Sequence, residues 1–447
     1  MRFPEAVRLR AFVVEQQGVL LSSFGSLVLR IVGLASTFLL GVLLARVLGP
    51  ADYGVYGLVS SLVALAMNLA LLGTPQLAVR EMAVHSARSD WPRVRSLARS
   101  FLTATSLTSV ALGLVAIAAT FLFERSSRDH ALALAGAMLM VGMGMTALIA
   151  AELRGLGLLI KGQFMDIVGR PAAAVVLTGG AWIAGTKLTP AGALWIQVCV
   201  ATVAAAVSLA WLRRATHRDQ KQEARTSGLQ WLKAALPLGA VDVLRVFDGN
   251  YGIILVGIFG SALDLGIYRV ATASAVLVTM PVTILHIVLA PTVSRLYRFG
   301  EHAELQRLLR FVSGSMVMVL IPMLLVLTLF GRPLVVLVFG HVYSDAWLPL
   351  AILCVAQVVL GFFGMGPILL AMADSERHLT VIYLVAVTAG VIAAGLLVPR
   401  YGANGAASAQ VLSTGAVAVL SGRFARRRLG LGTTFLARAS AATQQSA

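Results

Sequence analysis

Apolar runs of roughly 20 residues recur along the chain, separated by glycine, proline and short clusters of charge. Twelve such windows stand out, at 22–48, 52–73, 97–123, 130–151, 164–186, 190–212, 234–258, 266–294, 311–331, 346–372, 379–398 and 402–422. Each reads as a helix long enough to cross the hydrocarbon core of a bilayer, about 30 Å thick. The predicted class is an all-α polytopic membrane protein. Residues 1–21 are basic but lack the uninterrupted apolar run and cleavage site of a signal peptide, and read as a cytoplasmic segment that can form an interfacial helix.

The charges between the windows test that count. Loops and span edges on the side of the N-terminus hold 26 Lys and Arg, whereas the opposite loops hold 5: Arg125, Arg128, Lys187, Arg332 and Arg400. Dropping one span would scramble this asymmetry. The positive-inside rule then places both ends in the cytoplasm of a bacterial or archaeal cell, with the chain in its cytoplasmic membrane. The net charge of +17 follows from topology and contact with anionic lipids, which leaves nucleic acid out as a partner. Composition agrees: 58% of residues are hydrophobic and 12% charged, against about 25% charged in soluble domains. Cys199 and Cys354 both fall in apolar stretches with no metal or disulfide spacing, and read as small core residues.

An internal echo divides the chain. "RVLGPADYGVYGLVSSLVAL" (46–65) resembles "GIFGSALDLGIYRVATASAVL" (257–277), with Gly49, Gly54 and Tyr56 matching Gly260, Gly266 and Tyr268. Six windows separate the copies. An even number makes the halves a parallel repeat, an organisation of secondary transporters that bind substrate between their halves. The expected layout is a six-helix bundle over 22–214, a cytoplasmic linker over 215–233, a second bundle over 234–424 and a basic tail over 425–447.

The stretches "LLARVLGPADYGVYGL" (43–58) and "AELRGLGLLIKGQFMDIV" (151–168) resemble polysaccharide-biosynthesis flippases of the multidrug/oligosaccharidyl-lipid/polysaccharide exporter superfamily. The resemblance implies two six-helix bundles around a central cavity that opens to one side at a time. It also implies outward movement of an isoprenoid-diphosphate-linked oligosaccharide, such as an O-antigen, capsule or exopolysaccharide repeat unit. The expected partners are the lipid-linked glycan, membrane lipids and other glycan-assembly membrane proteins. No cofactor or metal is expected beyond a coupling proton or sodium ion.

Charge inside the spans marks the candidate site. A guanidinium at the centre of a membrane helix costs about 2.5–3.5 kcal/mol on insertion scales, so each one asks for a partner or for water. Arg245 lies twelve residues past Lys233, about 18 Å along a helix and too deep to snorkel. It reads as the firmest cavity candidate. Arg30, about 12 Å in, is the second. Arg46 and Arg269 sit near span ends and can reach the interface, but Arg269 also begins a polar stripe along the eighth span and is a cavity candidate as well, as is Arg170. Arg170 follows Asp166 by four and has an ion pair within reach. Polar residues at helical spacing join them: Thr37 on the first span, Asn68 on the second, and Thr272, Thr279 and His286 on the eighth. The alternative for each hydroxyl is a hydrogen bond to a neighbouring helix.

A guanidinium grips two phosphate oxygens at once and keeps its charge, so these arginines suit a diphosphate headgroup. Asp242, Arg245 and Asp248 are spaced by three, so both carboxylates can flank the arginine. That cluster reads equally as an ion-coupling site, with Asp166 as a further candidate, or as a structural ion pair. No phosphate loop, nucleophile elbow or metal–nucleotide pair occurs, and no catalytic residue is assigned. The rival readings are a multidrug or cation exporter of the same superfamily, a peptidoglycan-precursor lipid flippase, and a scaffold for glycan assembly. Cation exporters of that branch resemble one another in using a carboxylate in the first span; the first span here has Arg30 and no carboxylate, which argues against the exporter reading.

Overall fold

The computed structural model describes residues 5–122, 126–216, 230–373 and 375–434, and every regular element among them is helical. A helix over Glu5–Leu71 turns at Gly49, whose φ of 75° and ψ of 171° are not helical, and so forms two helices, α1 (5–48) and α2 (50–71). Pro50 opens α2, where its missing N–H leaves no bond unmade. Then follow α3 (Thr74–Ala87), α4 (Trp91–Leu122) and α5 (Ser127–Gly155). Next, α6 (159–183) contains a π-helical turn at Phe164–Gly169, and α7 (Pro190–Thr216) completes the first half. The second half holds α8 (Gln230–Phe259), α9 (Ala262–Arg298), α10 (His302–Phe339), α11 (Trp347–Phe363) and α12 (Gly366–Met372). A last helix, Glu376–Arg428, turns at Gly402 (φ 52°, ψ −128°) into α13 (376–401) and α14 (403–428).

Eight helical stretches are long and apolar enough to cross a membrane. Two of these contain the turns at Gly49 and Gly402 and cross twice. The two spans left over are α6, interrupted by its π-helical turn, and α8, which carries Asp242, Arg245 and Asp248. Among the described residues this makes twelve segments long enough for a crossing, six in each half. The near face is the one where α1 begins; the far face lies opposite.

Local details depart from expectation. Residues 74–87 form a helix along the near face instead of a loop, because Leu77, Ala78 and Met82 bury one side of it. The window at 346–372 is broken at Gly364 (φ 67°) into α11 and α12. Helix α1 runs without a break from Glu5, so residues 5–21 continue the first span.

The hydrophobic core has three parts. One lies in the first half, around Met82, Phe101 and Leu153, with Ala235 the contribution of α8. Another lies in the second half, around Leu309, Met316 and Leu369. The third belongs to both halves, joining Leu44, Tyr53 and Leu194 to Tyr251, Tyr268 and Tyr343. The repeated glycines explain that shared core. A Cβ on Gly54 would lie 2.7 Å from the amide nitrogen of Gly266, and one on Gly266 would overlap the carbonyl oxygen of Pro50. The α1–α2 and α8–α9 turns therefore meet backbone to backbone on the far face, as small residues allow in membrane bundles. Nearby, Arg46 donates from Nε to Val338 and from Nη2 to Leu337, both carbonyls at 2.8 Å, and the Tyr343 hydroxyl donates to the Ala45 carbonyl at 2.8 Å.

Candidate substrate cavity

Between the halves, beneath this seam, lies a cavity of about 320 Å³. Helix α1 contributes Thr37 and Phe38, α2 contributes Tyr53, Tyr56 and Ser60, α6 contributes Arg170, α7 contributes Gln197, and α9 contributes Arg269 and Thr272. Its described lining contains no carboxylate. Phe38, Tyr53 and Tyr56 of its lining belong to a chain of aromatic rings that continues into the second half: Phe38 to Phe339 at 6.0 Å, Phe339 to Tyr343 at 6.3 Å, Tyr343 to Tyr53 at 6.5 Å and Tyr53 to Tyr56 at 6.3 Å between centroids.

Arg269 reaches the cavity across Gly57, where a Cβ would stand 2.6 Å from the arginine Cδ. The missing side chain on α2 thus leaves room for a long one from α9. The guanidinium lies beside the buried Tyr53 hydroxyl, but neither that oxygen nor Arg269 Nε has a hydrogen bond of ordinary geometry. Buried donors are seldom left so. Of the two readings open for Arg269, the structure places it at the cavity and not at the interface, whereas Arg46 holds carbonyls near the end of α10.

Arg170 enters from the other half. Its Nη2 is 3.9 Å from Asp166 Oδ1, the expected i,i+4 partner but a loose one, and its Nε is buried without a partner. The pair sits at the π-helical turn, a distortion common at functional sites. Arg154, at the end of α5, interacts electrostatically with both Asp166 and Arg30. The Nε atoms of Arg30, Arg154 and Arg170 are all buried and unpartnered among the described residues; Arg154 and Arg170 both interact with Asp166, and Arg30 with Arg154. Arg154 was not singled out from the sequence, nor was Glu152, which is fully buried with neither oxygen hydrogen-bonded. The available signal was a Glu-x-Arg triplet closing an apolar helix.

Other candidates lie elsewhere. Arg245 does not line this cavity; it pairs with Asp242, which also accepts from Gln76 of α3 in the first half. Only one of the two flanking carboxylates holds it. Asp248 turns instead to α14, accepting from Ser413 Oγ at 2.5 Å and facing Gln410 Nε2 at 3.5 Å. The physical reason is local: the tight packing of α8 on α14 brings a hydroxyl to the face that Asp248 occupies. Asn68 and Thr279 are outside the cavity too. The hydroxyls of Thr37, Thr272 and Thr279 and the amide of Asn68 bond carbonyls of their own helices at 2.8, 3.0, 2.9 and 2.9 Å, not neighbouring helices. Such back-bonding satisfies the donor and leaves lone pairs for a ligand. The side chain of His286 lies outside the described residues.

Solved structures share this fold. An inward-facing multidrug resistance MATE family transporter of the MOP superfamily matches with a TM-score of 0.75 at 15% identity, over 94% of this chain and 100% of that one. An outward-facing form of such a transporter matches at 0.63 and 16% identity, over 92% of this chain and 95% of that one. The lipid II flippase MurJ, in an inward closed conformation, matches at 0.68 and 14% identity, over 90% of this chain and 86% of that one. No curated protein matches. The model of the family described as "Polysaccharide biosynthesis protein" matches residues 20–297, more than half of the chain, and so the chain belongs to that family.

Proposed function

We propose that the protein is a flippase for an isoprenoid-diphosphate-linked oligosaccharide, moving it from the cytoplasmic to the outer leaflet. One observation carries this reading: each half supplies an arginine, Arg170 and Arg269, to a cavity whose described lining has no carboxylate. Such a site is electropositive in a low-dielectric setting and favours a multivalent anion. A cationic drug would meet repulsion there, which sets aside the drug-exporter reading. The volume, about 320 Å³, is near the small end of ligand pockets. It suits a diphosphate headgroup, with the glycan extending beyond it. The near face is cytoplasmic in this reading, and the shared far-face core is the closed outer gate.

Coupling is assigned to Asp248. Its carboxylate faces a hydroxyl and an amide and no cation among the described residues, so a proton or a sodium ion can be its countercharge. Asp242 is different, because Arg245 already neutralises it.

The test uses protein reconstituted in lipid nanodiscs and a tritiated isoprenyl diphosphate. Wild type should bind, Arg269→Ala should lose binding by about 10- to 150-fold, and Arg269→Lys should recover only part of it. Those limits correspond to about 1.5–3 kcal/mol for hydrogen bonds to a charged group. Unchanged binding in both variants, with tight binding of a cationic compound instead, would reverse the assignment. A second reading, a peptidoglycan-precursor flippase, shares the diphosphate; competition between the two lipid-linked glycans separates them.

A further inference from the structure

On the other side of α9 lies a second cavity, of about 260 Å³. Among its described lining residues Ser274 alone is polar; Leu277 and Val278 of α9, Leu327 and Val338 of α10 and Leu350 of α11 form most of the rest. Helix α9 is the partition between the two spaces. Thr272, Ala273 and Val276 face the basic cavity, whereas Ser274, Leu277 and Val278 face the apolar one. Phe38 of α1 lines both, so a single side chain stands where they adjoin. Along α10 the lining runs from Met323 to Phe339, which at the helical rise is about 24 Å. Val326 and Leu334 are 47% and 39% exposed, so the space is a groove open on its outer side.

We infer that this groove seats the isoprenoid chain of the molecule whose diphosphate occupies the basic cavity, with Phe38 as the gate through which chain and headgroup join. The inference rests on the flippase reading. Apolarity alone does not choose the occupant, since a lipid tail gains little by leaving lipid for a leucine-lined groove. The tether chooses it. A headgroup held by Arg269 places its own chain beside Phe38 at high effective concentration, which an untethered phospholipid chain lacks. Packing along a shaped wall then adds dispersion contacts that a fluid bilayer does not hold in place.

The experiment measures binding of inorganic diphosphate and of isoprenyl diphosphates from geranyl to undecaprenyl, to wild type, Leu327→Trp and Val338→Trp in nanodiscs. Wild-type affinity should rise with chain length, by on the order of tenfold or more across the series if the tethered chain is held. The tryptophan variants, with the groove filled, should bind inorganic diphosphate as wild type does but lose the dependence on chain length. A diazirine in the chain should crosslink wild type at Met323 or Leu327, a readout that needs no variant to fold. A chain-length dependence equal in all three proteins, or crosslinks confined to other helices, overturns the groove assignment and leaves it to bulk lipid. Failure of inorganic diphosphate to bind wild type, or its indifference to Arg269→Ala, strikes the flippase reading instead.

Discussion

The seam between the halves can be opened with one methyl group. A Cβ at Gly266 would overlap the Pro50 carbonyl oxygen and lie 2.7 Å and 2.9 Å from the Pro50 carbonyl carbon and Cα. These are backbone atoms of the opposite half, so no rotamer change relieves the clash. Overpacking of this kind costs about 1–3 kcal/mol. In the flippase reading this seam is the closed outer gate, so Pro50 and Gly266 part when the far face opens and the penalty falls on the closed arrangement. Gly266→Ala should therefore shift the equilibrium toward far-face opening by about 5- to 150-fold. The assay places a single cysteine at Thr37, on the cavity wall, with Cys199 and Cys354 replaced, and follows labelling by a membrane-impermeant thiol reagent added from the far side. Gly266→Ala should label faster, as should Gly54→Ala, whose Cβ meets the Gly266 nitrogen at 2.7 Å. Gly179→Ala is the control, since nothing lies within 4 Å of its Cβ. If Gly266→Ala and Gly179→Ala label at the same rate, the seam is not the outer gate.

Three further outcomes are expected. Arg46→Ala removes both hydrogen bonds to the end of α10 and should lengthen the spin-label distance between the α1–α2 turn and the α10–α11 turn, by pulsed electron resonance. Asp248→Asn should abolish the dependence of transport on sodium or on pH while leaving diphosphate binding intact; Ser413→Ala, which keeps the carboxylate, should only move the half-saturating ion concentration. Arg154→Gln removes one of the two guanidinium groups that interact with Asp166 and should tighten the loose Arg170–Asp166 pair, so calorimetry should show weaker diphosphate binding in the cavity that Arg170 lines.

The arginines show how far a sequence carries. Depth along a helix is legible, because rise per residue is fixed, and Arg30, about 12 Å in, does bury its Nε without a partner among the described residues, yet it does not line the cavity. Direction around the helix is not legible when most neighbours are apolar. Depth left Arg269 open between the interface and the cavity, and Gly57 decides it by opening a path into the cavity. Arg245 looked deepest, but Asp242 one turn away holds it at the seam with α3. Arg154 sat in a loop by composition and became part of the arginine group because α5 continues to Gly155.

By itself the sequence determined the number of crossings, their alternation and the repeat, since each follows from local quantities: apolar length, loop charge and the positions of glycine. It also determined that the spans carry more arginine than acid. Tertiary structure alone decided which of those arginines meet in one cavity, that Asp248 turns to Ser413 and not to Arg245, and that a groove adjoins the cavity at Phe38. Those outcomes depend on helices distant in sequence approaching within a few ångströms, and in a chain whose helices are apolar on every side, periodicity does not say which face will meet which.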